Sequence, residues 1–195
     1  MTDKNPARKF DPTDGPWPLS VAAMLDDVHH QQARFLQRAW SQAQPEAEHI
    51  KLVPHMSLHV ATAYGSGLRE VVAAIAATQP ALPVRCGGLG FFTTTRPVVY
   101  VPVVRDDRLS RLHAKLWKAL EPVAKGTLQW YAPEGWLPHV TLAQGDLEPE
   151  RLAALLAVPA ARGPQWEATL RGIALVESGP EGDRVIWEET LEGLK

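Results

Sequence analysis

Apolar residues recur at strand or helix spacing in a series of short segments along most of the chain. The first half predicts strands over 17–25, 52–64, 82–85, 89–93 and 98–104, with a helix from Asp26 to Pro45 and another over 68–78. The second half predicts a helix over 107–124, strands over 128–131 and 139–144, a helix over 149–158, and a closing hairpin of 166–177 with 184–190. A similar order of elements thus occurs twice, which predicts two lobes related by a pseudo-twofold axis.

Two of the predicted strands carry nearly the same motif. Pro54–Leu58 and Pro138–Leu142 both read Pro, His, an apolar residue, a hydroxyl residue and Leu, and 84 positions separate the two histidines (139 − 55). Residues i and i+2 of a strand project from the same face. Each motif therefore predicts an imidazole and a hydroxyl side by side: His55 with Ser57, and His139 with Thr141.

Two such pairs facing each other across a cleft would suit phosphodiester chemistry. One histidine would act as general base and the other as general acid, because both protonation states of imidazole are available near neutrality. The hydroxyls of Ser57 and Thr141 would bind the phosphoryl oxygens. The residues leave open which of His55 and His139 is the acid.

Composition limits the class of substrate. The 195 residues include 20 Lys and Arg against 22 Asp and Glu, a formal net charge of −2. This balance argues against wrapping long nucleic acid by phosphate neutralisation, although it allows a site for one RNA end or a nucleotide. We expect no membrane span, because no apolar stretch approaches about 18 residues.

Other features predict a cytoplasmic protein, and we expect it to be a monomer. Cys86 is the one cysteine, which excludes an intramolecular disulfide and favours a reducing compartment. Residues 1–16 contain little apolar sequence and are predicted to form a mobile tail, with 17–195 as a single bilobal domain.

The histidine spacing also bears on metal binding. His55 and His59 stand at i, i+4, which on a helix is typical of a zinc pair. On a strand those rings would be roughly 13 Å apart, too far to share an ion. We therefore predict no metal and no cofactor. His59 is either a residue of the cleft rim or a structural histidine.

Three further residues are candidates for substrate binding. Arg96, in the predicted hairpin turn, would contact phosphate or ribose, and a base would stack on one of the aromatic residues, Tyr131 or Trp136. Solvent exposure of Arg96 and core packing of the two aromatic residues are the alternatives.

The motifs HMSL at 55–58 and HVTL at 139–142 resemble the paired signatures of the 2H phosphoesterase superfamily, and of its 2′-5′ RNA ligase-like branch in particular. The resemblance extends to Gly88–Val103 and Trp136–Gly145 and covers about residues 18–190. It implies an α+β fold, bilobal and duplicated, with two antiparallel sheets lining a central cleft and helices outside.

The resemblance also implies an activity. It is the metal-independent opening of 2′,3′-cyclic phosphates, or cleavage of 2′-5′ linkages, on RNA ends or nucleotides. The alternative is a non-catalytic module that retains the fold and binds an RNA end or a nucleotide.

Overall fold

The computed structural model describes residues 17–43, 51–93, 97–144 and 165–193. Its helices are α1 (Asp27–Ala43), α2 (Leu68–Ala76) and α3 (Asp107–Leu120). Its strands are β1 (Leu19–Leu25), β2 (Met56–Tyr64), β3 (Leu82–Gly87), β4 (Gly90–Phe92), β5 (Val98–Pro102), β6 (Ala124–Thr127), β7 (His139–Gln144), β8 (Gln165–Gly179) and β9 (Gly182–Thr190).

The strands form two antiparallel sheets. The larger sheet has the order β3-β8-β1-β2-β6, and β9 also pairs with β8; the smaller sheet has the order β4-β5-β7. The predicted α+β fold with two antiparallel sheets is confirmed. In the part of the chain that the structure describes, no helix is long and apolar enough to cross a membrane.

Some predicted boundaries differ from the structure. Residues 129–131, predicted as strand, form a 3-10 turn after β6. Helix α3 ends at Leu120 rather than 124, because Pro122 cannot continue a helix. The predicted helix 149–158, the predicted tail and Arg96 lie outside the described residues.

The two motif strands pair with their neighbours in the same irregular way. Ser57 lies opposite Ala22 and His59 opposite Val21, so Leu58 is an extra residue on β2. Thr141 lies opposite Tyr100 and Ala143 opposite Val99, so Leu142 is the extra residue on β7. Both motifs therefore contain a β-bulge at their leucine, and this shared irregularity is the clearest structural sign of the duplication.

Helices α1 and α3 cross between the two halves. Helix α1 follows β1 of the larger sheet but packs against β7 of the smaller sheet, where Trp40 contacts Val99 and Ala143. Helix α3 follows β5 of the smaller sheet but packs against β2 of the larger.

One hydrophobic core joins the two motif strands. Leu58 and Leu142 are buried in the same cluster, together with the apolar face of α3. That face consists of Leu109, Leu112, Leu116 and Leu120, which recur at helical spacing. Because both bulges are anchored in one core, packing fixes the relative position of the two motifs.

Candidate active site

The two motif histidines are held by the same hydrogen bond. His55 lies immediately before β2, and its Nδ1 is 2.7 Å from the carbonyl oxygen of Val53. His139 opens β7, and its Nδ1 is 2.6 Å from the carbonyl oxygen of Leu137. A carbonyl can only accept, so each Nδ1 carries a proton and donates it. In the neutral ring Nε2 is then the basic nitrogen at both positions.

Hydroxyl groups surround the first histidine. The Nε2 of His55 lies 3.2 Å from the Oγ of Ser57. The Oγ of Ser20, on β1, donates to the Oγ of Ser57 at 2.9 Å. Ser57 therefore accepts a hydrogen bond from Ser20 and is left to donate its own hydroxyl hydrogen bond to neutral His55.

The site role of Ser20 is not evident from the sequence alone. A buried hydroxyl within the apolar strand 19–25 was the available signal, but its partner depends on the register of β1 against β2. In the second motif, Thr141 is half-buried and lies two residues along β7 from His139, as the alternation predicts.

The electrostatics of the two histidines are linked. Burial lowers the pKa of His139, and the nearby charge of His55 lowers it further, whereas the hydrogen bond to Leu137 acts in the opposite direction. The neutral form of His139 is therefore favoured.

Two aromatic side chains lie against the second histidine. The rings of Phe92 and Tyr100 stack with centroids 4.3 Å apart, and their centroids lie 5.1 and 5.0 Å from that of His139. Tyr100 crosses directly over Gly90, where a Cβ would lie only 2.3 Å from its ring. The glycine is therefore what lets this ring reach the site.

Of the two alternatives for His59, the structure supports the structural histidine and not the residue of the cleft rim. Its side chain is buried, its Nδ1 contacts the Tyr64 hydroxyl at 2.6 Å, and its ring packs on Trp117. The bulge at Leu58 interrupts the alternation of β2, so His59 no longer shares the face of Ser57. Burial, and then the charge of nearby His113, lower its pKa to about 4.

Trp136 also differs from its predicted role in base stacking, since only 1% of its surface is exposed. Its ring stacks on His113 at 3.8 Å, and its Nε1 donates to the carbonyl of Ser57 at 3.0 Å. No face remains for a base. Tyr131 is half-buried beside Ser57; burial raises its pKa, and the hydrogen bond with Ser57 offsets part of that rise.

Potential metal ligands are scattered in the structure. Among residues 17–43, 51–93, 97–144 and 165–193, no three His, Cys, Asp or Glu side chains come together as a ligand set.

Comparisons with known proteins agree with the fold. A sequence model of the 2'-5' RNA ligase superfamily matches residues 26–181. Escherichia coli LigT in complex with 3'-AMP superposes with a TM-score of 0.55 and 17% identity, over 92% of this chain and 99% of that one. The protein TT0787 of Thermus thermophilus superposes with a TM-score of 0.58 and 18% identity, over 91% of this chain and 100% of that one.

A third solved structure, of a phosphoesterase, gives a TM-score of 0.60 and 17% identity, over 90% of this chain and 98% of that one. No curated protein matches the chain with significant sequence similarity. At these identities the superpositions show a shared fold across nearly the whole length of each neighbour.

Proposed function

Because the chain belongs to the 2'-5' RNA ligase superfamily, a superfamily of phosphoesterases, we propose that it is a metal-independent phosphodiesterase. It opens 2′,3′-cyclic phosphates or cleaves 2′-5′ linkages on RNA ends or nucleotides. The observation that carries this proposal is the matched pair of histidines. His55 and His139 each donate Nδ1–H to the carbonyl two residues earlier, which leaves Nε2 for proton transfer on both rings.

In this proposal each histidine has one role. His139 is the general base, because burial and the charge of His55 favour its neutral form. Its Nε2 takes a proton from water as the water oxygen attacks phosphorus. The bond from phosphorus to the 2′ or 3′ oxygen breaks, and that oxygen takes the proton from Nε2 of His55. Protons and charge thus balance without a metal ion.

The two motif hydroxyls bind the phosphoryl oxygens in this mechanism. When His55 is protonated, its Nε2 no longer accepts from Ser57, so the Ser57 proton becomes available for a phosphoryl oxygen while the Nε2–H serves the leaving oxygen. Thr141 provides the second hydroxyl. These donors act where negative charge accumulates in the transition state, which is where hydrogen bonds contribute most to rate.

A small nucleotide or a single RNA end is the favoured substrate. The net charge of −2 provides no excess of cations for a long polyanion. Solved structures of LigT hold 3'-AMP, ATP, NADP+ or phosphate, which supports a nucleotide ligand for this chain as well. We place the activity in the cytoplasm and expect the protein to act as a monomer.

The experiment is to incubate the protein with 2′,3′-cyclic AMP, CMP, GMP and UMP and with a 2′-5′-linked dinucleotide. Each reaction is run with and without EDTA, and chromatography separates 2′- from 3′-phosphate products. We expect turnover that survives EDTA. Loss of activity with EDTA, restored by a divalent ion, would contradict the metal-free mechanism. Binding without turnover of any substrate would instead favour the non-catalytic module.

A further inference from the structure

Side chains from distant segments donate to the backbone at both motif bulges. In the first motif, Trp136 Nε1 donates to the carbonyl of Ser57 at 3.0 Å, and Nε2 of His113 is 2.8 Å from the carbonyl of Leu58. In the second motif, the Nε2 of Gln37 donates to the carbonyl of Thr141 at 3.1 Å. Ser57 and Thr141 occupy equivalent motif positions, so the same carbonyl is held in both halves.

Gln37 and His113 each come from the opposite half. Gln37 lies on α1, which follows a strand of the larger sheet but holds a motif of the smaller sheet. His113 lies on α3, which follows a strand of the smaller sheet but holds a motif of the larger sheet. Trp136 stacks flat on His113, with an interplanar angle of 5°. The two halves therefore hold each other's catalytic segment reciprocally.

These contacts bear on the hydroxyl positions. A bulge disturbs the regular ladder of a sheet, so the ladder alone does not fix the residue at the bulge. The carbonyl of Thr141 is part of the same residue as the hydroxyl that would meet the phosphate. A donor on that carbonyl therefore limits how the residue can shift or rotate relative to His139.

We propose that Gln37, and the stacked pair of His113 and Trp136, are positioning residues that set the relative placement of the two motifs. They do not touch the substrate, and they act through Thr141 and Ser57. This inference deepens the proposed function and rests on it for the activity measurement. Misplacing a catalytic group by about 1 Å can lower turnover about 10²-fold, so a smaller shift of Thr141 is expected to lower it about tenfold.

Gln37 gives the sharper test because it is half-buried on a surface helix, whereas His113 and Trp136 belong to the core. Gln37→Met keeps the length of the side chain and its helix propensity but removes the donor. Gln37→Lys restores a donor of similar reach. Gln32→Met is the matched control, because Gln32 is exposed on the same helix.

Two quantities are measured for each protein: turnover of a 2′,3′-cyclic nucleotide, and affinity for inorganic phosphate by NMR titration. We expect Gln37→Met to lower turnover about tenfold and to weaken phosphate binding severalfold. Gln37→Lys should recover most of both losses, and Gln32→Met should match the wild type.

A double-mutant cycle identifies the residue through which Gln37 acts. In a Thr141→Ala background, Gln37→Met should lower turnover by less than a further factor of about two. The hydroxyl through which Gln37 acts is already absent there. In a Ser57→Ala background it should keep its full effect. An undiminished loss in the Thr141→Ala background would overturn the inference, as would a Gln37→Met protein equal to wild type in both measurements.

The phosphate titration separates failure of this inference from failure of the proposed function. If Gln37→Met weakens phosphate binding but the wild type cleaves no cyclic nucleotide, the proposed function fails and the positioning role stands. If the wild type neither binds phosphate nor cleaves a cyclic nucleotide, both fail.

Discussion

Two buried histidines beneath the first motif should make the fold sensitive to acid. His59 and His113 are each at most 1% exposed, and burial lowers the pKa of each to about 4. In the unfolded chain both take up protons near pH 6.5, whereas the folded protein stays unprotonated until about pH 4. The contribution of the two neutral histidines to the free energy of unfolding is therefore fully present above about pH 6.5 and is lost as the pH falls toward 4.

The size of the effect follows from those values. At pH 5, protonation stabilises the unfolded state relative to the folded state by about 2 kcal/mol per histidine, or about 4 kcal/mol for both. Domains of this kind are stable by only about 5–15 kcal/mol. Acidification from pH 7.5 to 5 should thus remove a large fraction of the free energy of unfolding.

The assay is urea unfolding followed by tryptophan fluorescence at both pH values. His113→Gln is the informative variant, because its amide nitrogen can still donate to the carbonyl of Leu58 without titrating. We expect this variant to be less stable at pH 7.5 through lost packing on Trp136. Acidification should lower the free energy of unfolding of this variant by about 2 kcal/mol less than that of wild type. An equal loss of unfolding free energy in the two proteins would refute the assignment of acid sensitivity to buried His113.

Three further results are expected. Burial raises the pKa of Cys86 to about 12, so a thiol reagent at pH 8 should modify the native protein far more slowly than the urea-unfolded protein. Gly90→Ala should push Tyr100 away from His139 and cost about 1–3 kcal/mol of stability together with part of the turnover. NMR titration should place the pKa of His139 below the usual 6.5, and His55→Asn should raise it, because the neighbouring charge is gone.

Hydrophobic periodicity was sufficient to predict most strands and helices, and the repeated motif identified the segments that carry His55 and His139. Alternation also predicted that each histidine lies beside a hydroxyl, and the structure places Ser57 next to His55. These features depend on residues close together in sequence, which is why a single chain reveals them.

Features that depend on register or tertiary packing could not be predicted in this way. The bulge at Leu58 has no local signature, since leucine fits a regular strand equally well, and it turned His59 away from the predicted face. Trp136 was misassigned because its stacking partner, His113, lies on a separate helix. The contact of Gln37 with Thr141 spans 104 positions and depends on how α1 crosses to the other sheet.

The central claim is that His55 and His139 transfer protons in one metal-free reaction. The most direct measurement is the pH dependence of 2′,3′-cyclic nucleotide hydrolysis in EDTA, for wild type, His55→Asn, His139→Asn and the double variant. We expect a bell-shaped profile for wild type and a turnover lowered about 10²–10⁴-fold in each single variant. The double variant should be less impaired than the product of the two losses. If either His55→Asn or His139→Asn kept a turnover within a few fold of wild type, this proton-transfer mechanism would be contradicted.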